Sequence, residues 1–166
     1  MDTELLIYPE RISDEPEVFE GTIDIEEFPR LEEALATPEL DLRYKVTARL
    51  DIQRRKVVSC IMEGFVFLTC QTTLEAFRHE ISIEDRLVLV DDESSLPPIE
   101  EESDAEDYLV ADGPVDVLDL VEDAILLALP MVPRKPGLGE AQAVRKDEGK
   151  RESPFAALAG LKKRTE

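Results

Sequence analysis

Carboxylates are the most abundant reactive side chains in this sequence, and they are clustered. Residues 91–123 contain 14 acidic residues and no basic one. Paired carboxylates can bind magnesium or act as a general acid and base. Such chemistry needs a rigid frame, and the acid-rich part of this segment has few apolar residues to build one. We therefore expect a solvated, mobile acidic loop at about residues 91–112, and not a catalytic site.

One histidine and two cysteines are the other candidates for chemistry. His79 alternates with Phe77 and Ile81 in a strand pattern, which is typical of a packed or half-exposed histidine. Cys60 and Cys70 are too few for a disulfide framework and, with one histidine, too few for a zinc site. The sequence has no nucleophile elbow, phosphate-binding loop or dinucleotide fingerprint. We expect no catalytic residue, metal, cofactor or small-molecule substrate, so the chain is predicted not to be an enzyme.

Basic residues form the clearest candidate binding surface. Three of them alternate along one predicted strand and three follow in its turn, which predicts one continuous positive stripe that could contact RNA phosphates. The alternative is that these charges only keep a sheet face soluble. This face of the strand offers no aromatic side chain for base stacking, so sequence-specific reading of a single strand is not expected. The candidate RNA-binding residues are Arg43, Lys45, Arg49, Arg54, Arg55 and Lys56.

The overall charge limits which partners the chain can meet. Its 166 residues carry 39 acidic and 19 basic side chains, for a net charge of −20. A chain this acidic is repelled from nucleic acid at long range. Any RNA contact must therefore come from residues 41–90, with 7 acidic and 8 basic residues, or from residues 134–166, with 5 and 9. A basic protein partner meets no such barrier.

Hydrophobic periodicity predicts an antiparallel meander in the middle of the chain. Apolar and polar residues alternate strictly over residues 40–53, which indicates a long strand with one solvated face. A second strand is expected at 57–69, a third at about 75–83 and a short fourth at 87–90, with weaker candidates at 5–8 and 21–25. Gly64, inside the second strand, indicates a bulge or a close approach of two backbones.

Helices are expected outside this meander. The spacing of Phe28, Leu31 and Leu35 predicts a short helix over 27–36, and an apolar face predicts another from Asp116 to Pro130. The fold class is therefore α+β: an antiparallel β meander packed with a few short helices, in one domain over residues 1–130. Residues 131–166 are predicted to be a flexible basic tail.

The tail carries a predicted short helix over about 153–164. Its apolar residues recur at helical spacing and lysines follow them at the end that favours cations. Such a face either docks back on the domain or binds a partner. The candidate partner-binding residues are Phe155, Leu158, Leu161, Lys162 and Lys163.

The ends of the chain give an expectation about location. No stretch approaches the roughly 18 to 20 consecutive apolar residues that a membrane-spanning helix needs, and the first residues lack the basic start of a signal peptide. We expect a cytoplasmic protein without a membrane partner.

Two motifs resemble a known family. Residues 119–133 read DLVEDAILLALPMVP, and residues 153–163 read SPFAALAGLKK. Both, in this order, closely resemble the YceD family, the large ribosomal RNA subunit accumulation proteins. Many members have a Cys-x-x-Cys pair where this chain has Cys70 and Thr73, and a histidine or cysteines where it has Arg134 and Lys135, so no metal site is carried over. The motif residues are Leu120, Glu122, Leu127, Leu129, Pro130 and Pro133.

The resemblance implies a role in synthesis, processing or stability of 23S ribosomal RNA, and so in accumulation of the large ribosomal subunit. It implies no catalytic residue. The expected partners are large-subunit RNA, a basic ribosomal protein, or both. One alternative is an acidic adaptor or holdase for a basic ribosomal protein, which affects the RNA only indirectly. Another is a magnesium-dependent nuclease, which would need converging carboxylates in the folded sheet.

Overall fold

A computed structural model describes residues 5–98 and 106–137 of the chain. A compact unit extends over Met1–Arg134, and Lys135–Glu166 form a second unit. All the elements below lie in the first of these units. The predicted tail helix and its candidate partner-binding residues lie outside the described residues.

The main sheet has five strands and a mostly antiparallel topology. In chain order its strands are β2 (Glu17–Thr22), β3 (Leu40–Leu50), β4 (Lys56–Thr69), β5 (Ala76–Val90) and β6 (Asp107–Val110). They are arranged in the order β2-β3-β4-β5-β6, and only the last pair is parallel. A second, two-stranded sheet pairs β1 (Leu6–Ile7) with β7 (Val115–Asp116). The predicted α+β class with an antiparallel meander is confirmed.

The meander β3-β4-β5 is paired without interruption. Leu42 is the partner of Gly64 on one side, and Ile81 is its partner on the other. Gly64 adopts φ +144°, and a Cβ there would lie 1.8 Å from the carbonyl oxygen of Asp41. Of the two explanations for this glycine, close backbone approach is therefore correct, and the continuous register shows that no bulge is present.

Three predicted segments differ from the observed ones. The strand expected at 21–25 lies earlier, at Glu17–Thr22, and residues 25–27 form a 3-10 turn. The short strand expected at 87–90 is the end of β5, because residues 76–90 remain paired with β4 throughout. The predicted acidic loop at 91–112 is too long, because residues 107–110 form β6 and partly bury Tyr108 and Leu109.

Two helices pack on the sheet. The first, α1 (Pro29–Ala34), has proline at its first position and buries Leu31. The second, α2 (Val117–Ala128), begins after Asp116, whose carboxylate accepts hydrogen bonds from the N–H groups of Leu118 and Asp119. Both predicted helices are confirmed. In the part of the chain that the structure describes, no helix is long and apolar enough to cross a membrane.

The main sheet has two different faces. The inner face carries the even-numbered residues of β3 and β4, packs against the helices and supplies much of the core, including Val46, Met62 and Leu68. The outer face carries the odd-numbered residues of these two strands and the residues that pair beside them. Because β3 alternates strictly, all its basic residues point to the outer face.

Candidate nucleic-acid interface

The outer face presents the predicted basic row of β3. Arg43, Lys45 and Arg49 are all exposed. Lys45 lies 3.9 Å from the carboxylate of Glu20, a distance typical of a weak surface ion pair. Within residues 5–98 and 106–137, neither Arg43 nor Arg49 has a carboxylate oxygen within 4 Å. Among the described residues, no carboxylate therefore competes with an external anion for these two guanidinium groups.

The three basic residues of the β3–β4 turn are already paired. Arg54 Nη1 lies 2.6 Å from Asp14, and Lys56 Nζ lies 2.6 Å from Asp91. Arg55 contacts two carboxylates. The structure therefore divides the predicted continuous stripe into an open row on β3 and a turn in which every cation has a carboxylate partner.

Arg55 belongs to a four-membered ion network at the end of the outer face. It contacts Asp51 at 2.8 Å and Glu106 at 3.0 Å, and Arg86 contacts the same two carboxylates at 3.2 and 2.9 Å. Hydrogen bonds from Arg55 hold the pKa of Glu106 below its usual value, against some desolvation. Desolvation raises the pKa of Asp51, but hydrogen bonds from Arg55 and Gln53 outweigh it, so this pKa is also lowered. The network joins the β3–β4 turn to the start of β6.

Aromatic rings lie on the outer face, contrary to the prediction that this face lacks them. Phe65 and Phe67 of β4 are half-buried and pack edge to face, with ring centroids 5.9 Å apart. The guanidinium of Arg78 lies 3.8 Å from the centroid of Phe65. The prediction considered β3 alone, whereas the hairpin register places Phe65 opposite Asp41, next to the basic row.

A shallow depression marks the centre of the row. It has a volume of about 620 Å³ and is lined by Arg43, Lys45, Ile61, Glu63 and the facing part of β2. The outer face is not uniformly basic, because acidic residues alternate with the basic ones. Its exposed acidic residues on β2, β3, β4 and β5 include Glu20, Asp41, Glu63, Glu80 and Glu84.

The residues of the 119–133 motif have separate structural roles. Glu122 is buried, with 4% of its surface exposed, and it binds the start of α1. Leu120 and Leu127 line a cavity beside α2, and Leu129 ends the helix. Pro130 is exposed, and Pro133 is half-buried with its carbonyl oxygen 2.9 Å from the N–H of Gln71. The motif thus connects α2 to α1 and to the β4–β5 turn.

The histidine and the two cysteines considered for catalysis are not part of the basic row. His79 is half-buried beside Phe77, as predicted, and Cys60 and Cys70 are buried. Burial and the nearby Asp85 raise the pKa of the Cys60 thiol to about 11. In the ranges that the structure describes, no three histidine, cysteine or acidic side chains are placed to hold a metal ion.

A comparison with protein families gives a match that covers more than half of the chain. The profile of a protein family described as "Large ribosomal RNA subunit accumulation protein YceD" matches residues 58–162. The matched segment starts in β4, includes β5, β6 and α2, and extends to the second sequence motif. No solved structure matches the chain.

Proposed function

The chain belongs to the YceD family, the large ribosomal RNA subunit accumulation proteins, and from this premise we propose that it is a non-enzymatic factor that binds 23S ribosomal RNA. The family links it to accumulation of the large subunit. The proposed action is to bind the RNA through the outer face of the sheet, in the cytoplasm, and so to support its synthesis, processing or stability.

The open basic row carries this proposal. Alternate residues of a strand are about 6.7 Å apart, so Arg43 and Arg49 are separated by about 20 Å along β3. Neither guanidinium group is paired with a carboxylate of the described residues, and at this spacing, with Lys45 between them, the two can contact several phosphates of one backbone. The rings of Phe65 and Phe67 beside the row offer surfaces on which an unpaired base can stack.

A salt titration with two matched variants tests the proposal. The full chain is titrated with a 23S RNA fragment at several salt concentrations, beside the Arg43→Gln/Arg49→Gln and Arg54→Gln/Lys56→Gln double variants. Each variant removes two positive charges, but within the described residues only the first removes charges that have no carboxylate partner. We expect the first variant to bind at least about tenfold more weakly, with a salt dependence reduced by about two contacts.

The two variants separate the possible results. A loss confined to the Arg54→Gln/Lys56→Gln variant places the RNA at the turn. No binding by the unaltered chain contradicts an RNA-binding role and favours the adaptor alternative, in which a basic ribosomal protein is the partner. Urea unfolding of each variant shows whether the fold is retained.

A further inference from the structure

The side of the sheet opposite the basic row contains a groove. It lies between the inner face and the flank of α2 and has a volume of about 650 Å³, within the usual range of binding pockets. Its apolar wall includes Leu87, Leu109, Leu120 and Leu127. Leu127 is 87% exposed although it belongs to an otherwise well-packed helix.

The packing of α2 explains why the groove is open. Val121 and Ile125 are fully buried against the sheet, and Glu122 binds α1. The edge of α2 on the other side from Glu122 carries Leu120, Ala124 and Leu127. This edge lines the groove together with residues of β5 and β6. Leu120 and Ala124 pack partly against the core, whereas Leu127 is left exposed at the mouth of the groove.

The charged residues that line the groove are all acidic. Asp85, Glu106, Asp107 and Asp123 line it, and no lysine or arginine of the described ranges does. Asp123 is paired with Arg30, and Glu106 is paired with Arg55 and Arg86. Asp85 and Asp107 have no basic group within 4 Å among the described residues.

These two carboxylates also interact unfavourably with each other. Partial desolvation, and then the charge of Asp107, raise the pKa of Asp85. A cation placed between them would relieve this repulsion and would gain two carboxylate partners.

We propose that this groove binds a basic segment of a partner protein, with an arginine or lysine between Asp85 and Asp107 and apolar neighbours against Leu120 and Leu127. Charge complementarity selects this occupant, because an acidic or purely apolar segment would leave the two carboxylates unpaired. The site lies on the other face of the sheet from the basic row. The proposal therefore stands independently of RNA binding, and either can fail alone.

Peptide binding to the full chain tests this site. The probe is a fluorescein-labelled peptide, Gly-Leu-Arg-Lys-Leu-Leu-Arg-Lys-Leu-Gly, and its counterpart has glutamate at each basic position. We expect only the basic peptide to bind, with an affinity that falls as salt increases. Asp85→Asn/Asp107→Asn should weaken binding at least about tenfold, and Leu127→Ser should weaken it several-fold.

A matched control addresses the acidity of the whole chain. Asp41→Asn/Asp112→Asn also removes two negative charges, but at exposed positions that do not line the groove. This variant should bind the basic peptide as tightly as the unaltered chain does. Equal loss in both double variants, or no binding by the unaltered chain, overturns the proposal. Sedimentation that shows a dimer dissociated by Leu127→Ser also overturns it, because the occupant would then be a second copy. Leu127 is exposed, so Leu127→Ser should fold normally. This variant therefore still tests the groove if a double variant fails to fold.

Discussion

The carboxylate of Glu122 in α2 binds both the backbone N–H and the guanidinium group of Arg30 in α1. One carboxylate oxygen, Oε1, accepts hydrogen bonds from the backbone N–H groups of Arg30 and Leu31, at 2.9 and 3.0 Å. The other, Oε2, lies 2.7 Å from both Nε and Nη2 of the Arg30 guanidinium. A buried acid of the second helix therefore caps the N-terminus of the first, where free N–H groups favour a negative charge.

Removal of this carboxylate should destabilise the fold. Glu122→Ala leaves two N–H groups at the start of α1 without an acceptor, so we expect the free energy of unfolding to fall by about 3 kcal/mol. Glu122→Gln keeps an oxygen acceptor and should lose only about 1 kcal/mol. Urea unfolding measures both. Asp123→Asn, which removes only an exposed contact with Arg30, is the control. Equal losses in all three variants would contradict a capping role for Glu122.

Gly64 gives a second test of a specific contact. Gly64→Ala would place a methyl group 1.8 Å from the Asp41 carbonyl oxygen in a backbone conformation that L-residues rarely adopt. We expect the free energy of unfolding to fall by about 3 kcal/mol or more, because two central strands must separate. Gly113→Ala is the matched control, since no atom lies within 4 Å of its added Cβ. If Gly64→Ala lowered the free energy of unfolding only slightly, β3 and β4 would have to move apart at little cost, which would contradict this expectation.

These two residues show what a sequence pattern can and cannot predict. Strict alternation predicts β3 and the face of its basic residues, because a period of two has only one structural solution over so many residues. Gly64 was correctly identified as a special position. Glu122 is singled out only as a residue of the family motif, and its capping role is not predicted, because an acid within an amphipathic helix has the same local pattern whether it is solvated or caps another helix. Its partner lies 92 positions away.

The outer face was only partly predictable for a related reason. The exposure of Arg43, Lys45 and Arg49 follows from local alternation. The pairing of Arg55 with Glu106 depends on β6, a four-residue strand within an acidic segment that has little local signal. The position of Phe65 beside the row follows from the β3–β4 register, which the turn determines and local alternation does not.

Cys60 should be unreactive in the folded protein. Its side chain is buried and its thiol pKa is raised to about 11, so little thiolate forms near neutral pH. We expect Cys60 to react with a disulfide reagent only as fast as the protein unfolds, and to react rapidly in urea. The measurement is made on the Cys70→Ala variant, which leaves one thiol. Rapid reaction of this variant in native buffer, with its fold intact, would contradict the observed burial.

Asp85→Asn should stabilise the folded chain at neutral pH. Because the pKa of Asp85 is raised in the folded state, ionisation of this residue favours unfolding. The urea midpoint of the variant should therefore exceed that of the unaltered chain at pH 7, and the difference should disappear at about pH 3, where both states are protonated. Asp112→Asn, an exposed position, should shift the midpoint little at either pH. A lower midpoint for Asp85→Asn at pH 7 would show that Asp85 has a stabilising partner.

The network of Asp51, Arg55, Arg86 and Glu106 should have the opposite dependence on pH. Both carboxyls have a lowered pKa in the folded state, so the unfolded chain takes up more protons as the pH falls. Their stabilising effect is complete above about pH 5 and is lost progressively below about pH 4. Glu106→Gln should therefore lower the urea midpoint at pH 7 and lower it less at pH 3. Asp14→Asn, which breaks the exposed pair with Arg54, should cause only a small change at either pH. An effect of Glu106→Gln that is equal at both pH values would show that packing, and not the ion network, joins β6 to the β3–β4 turn.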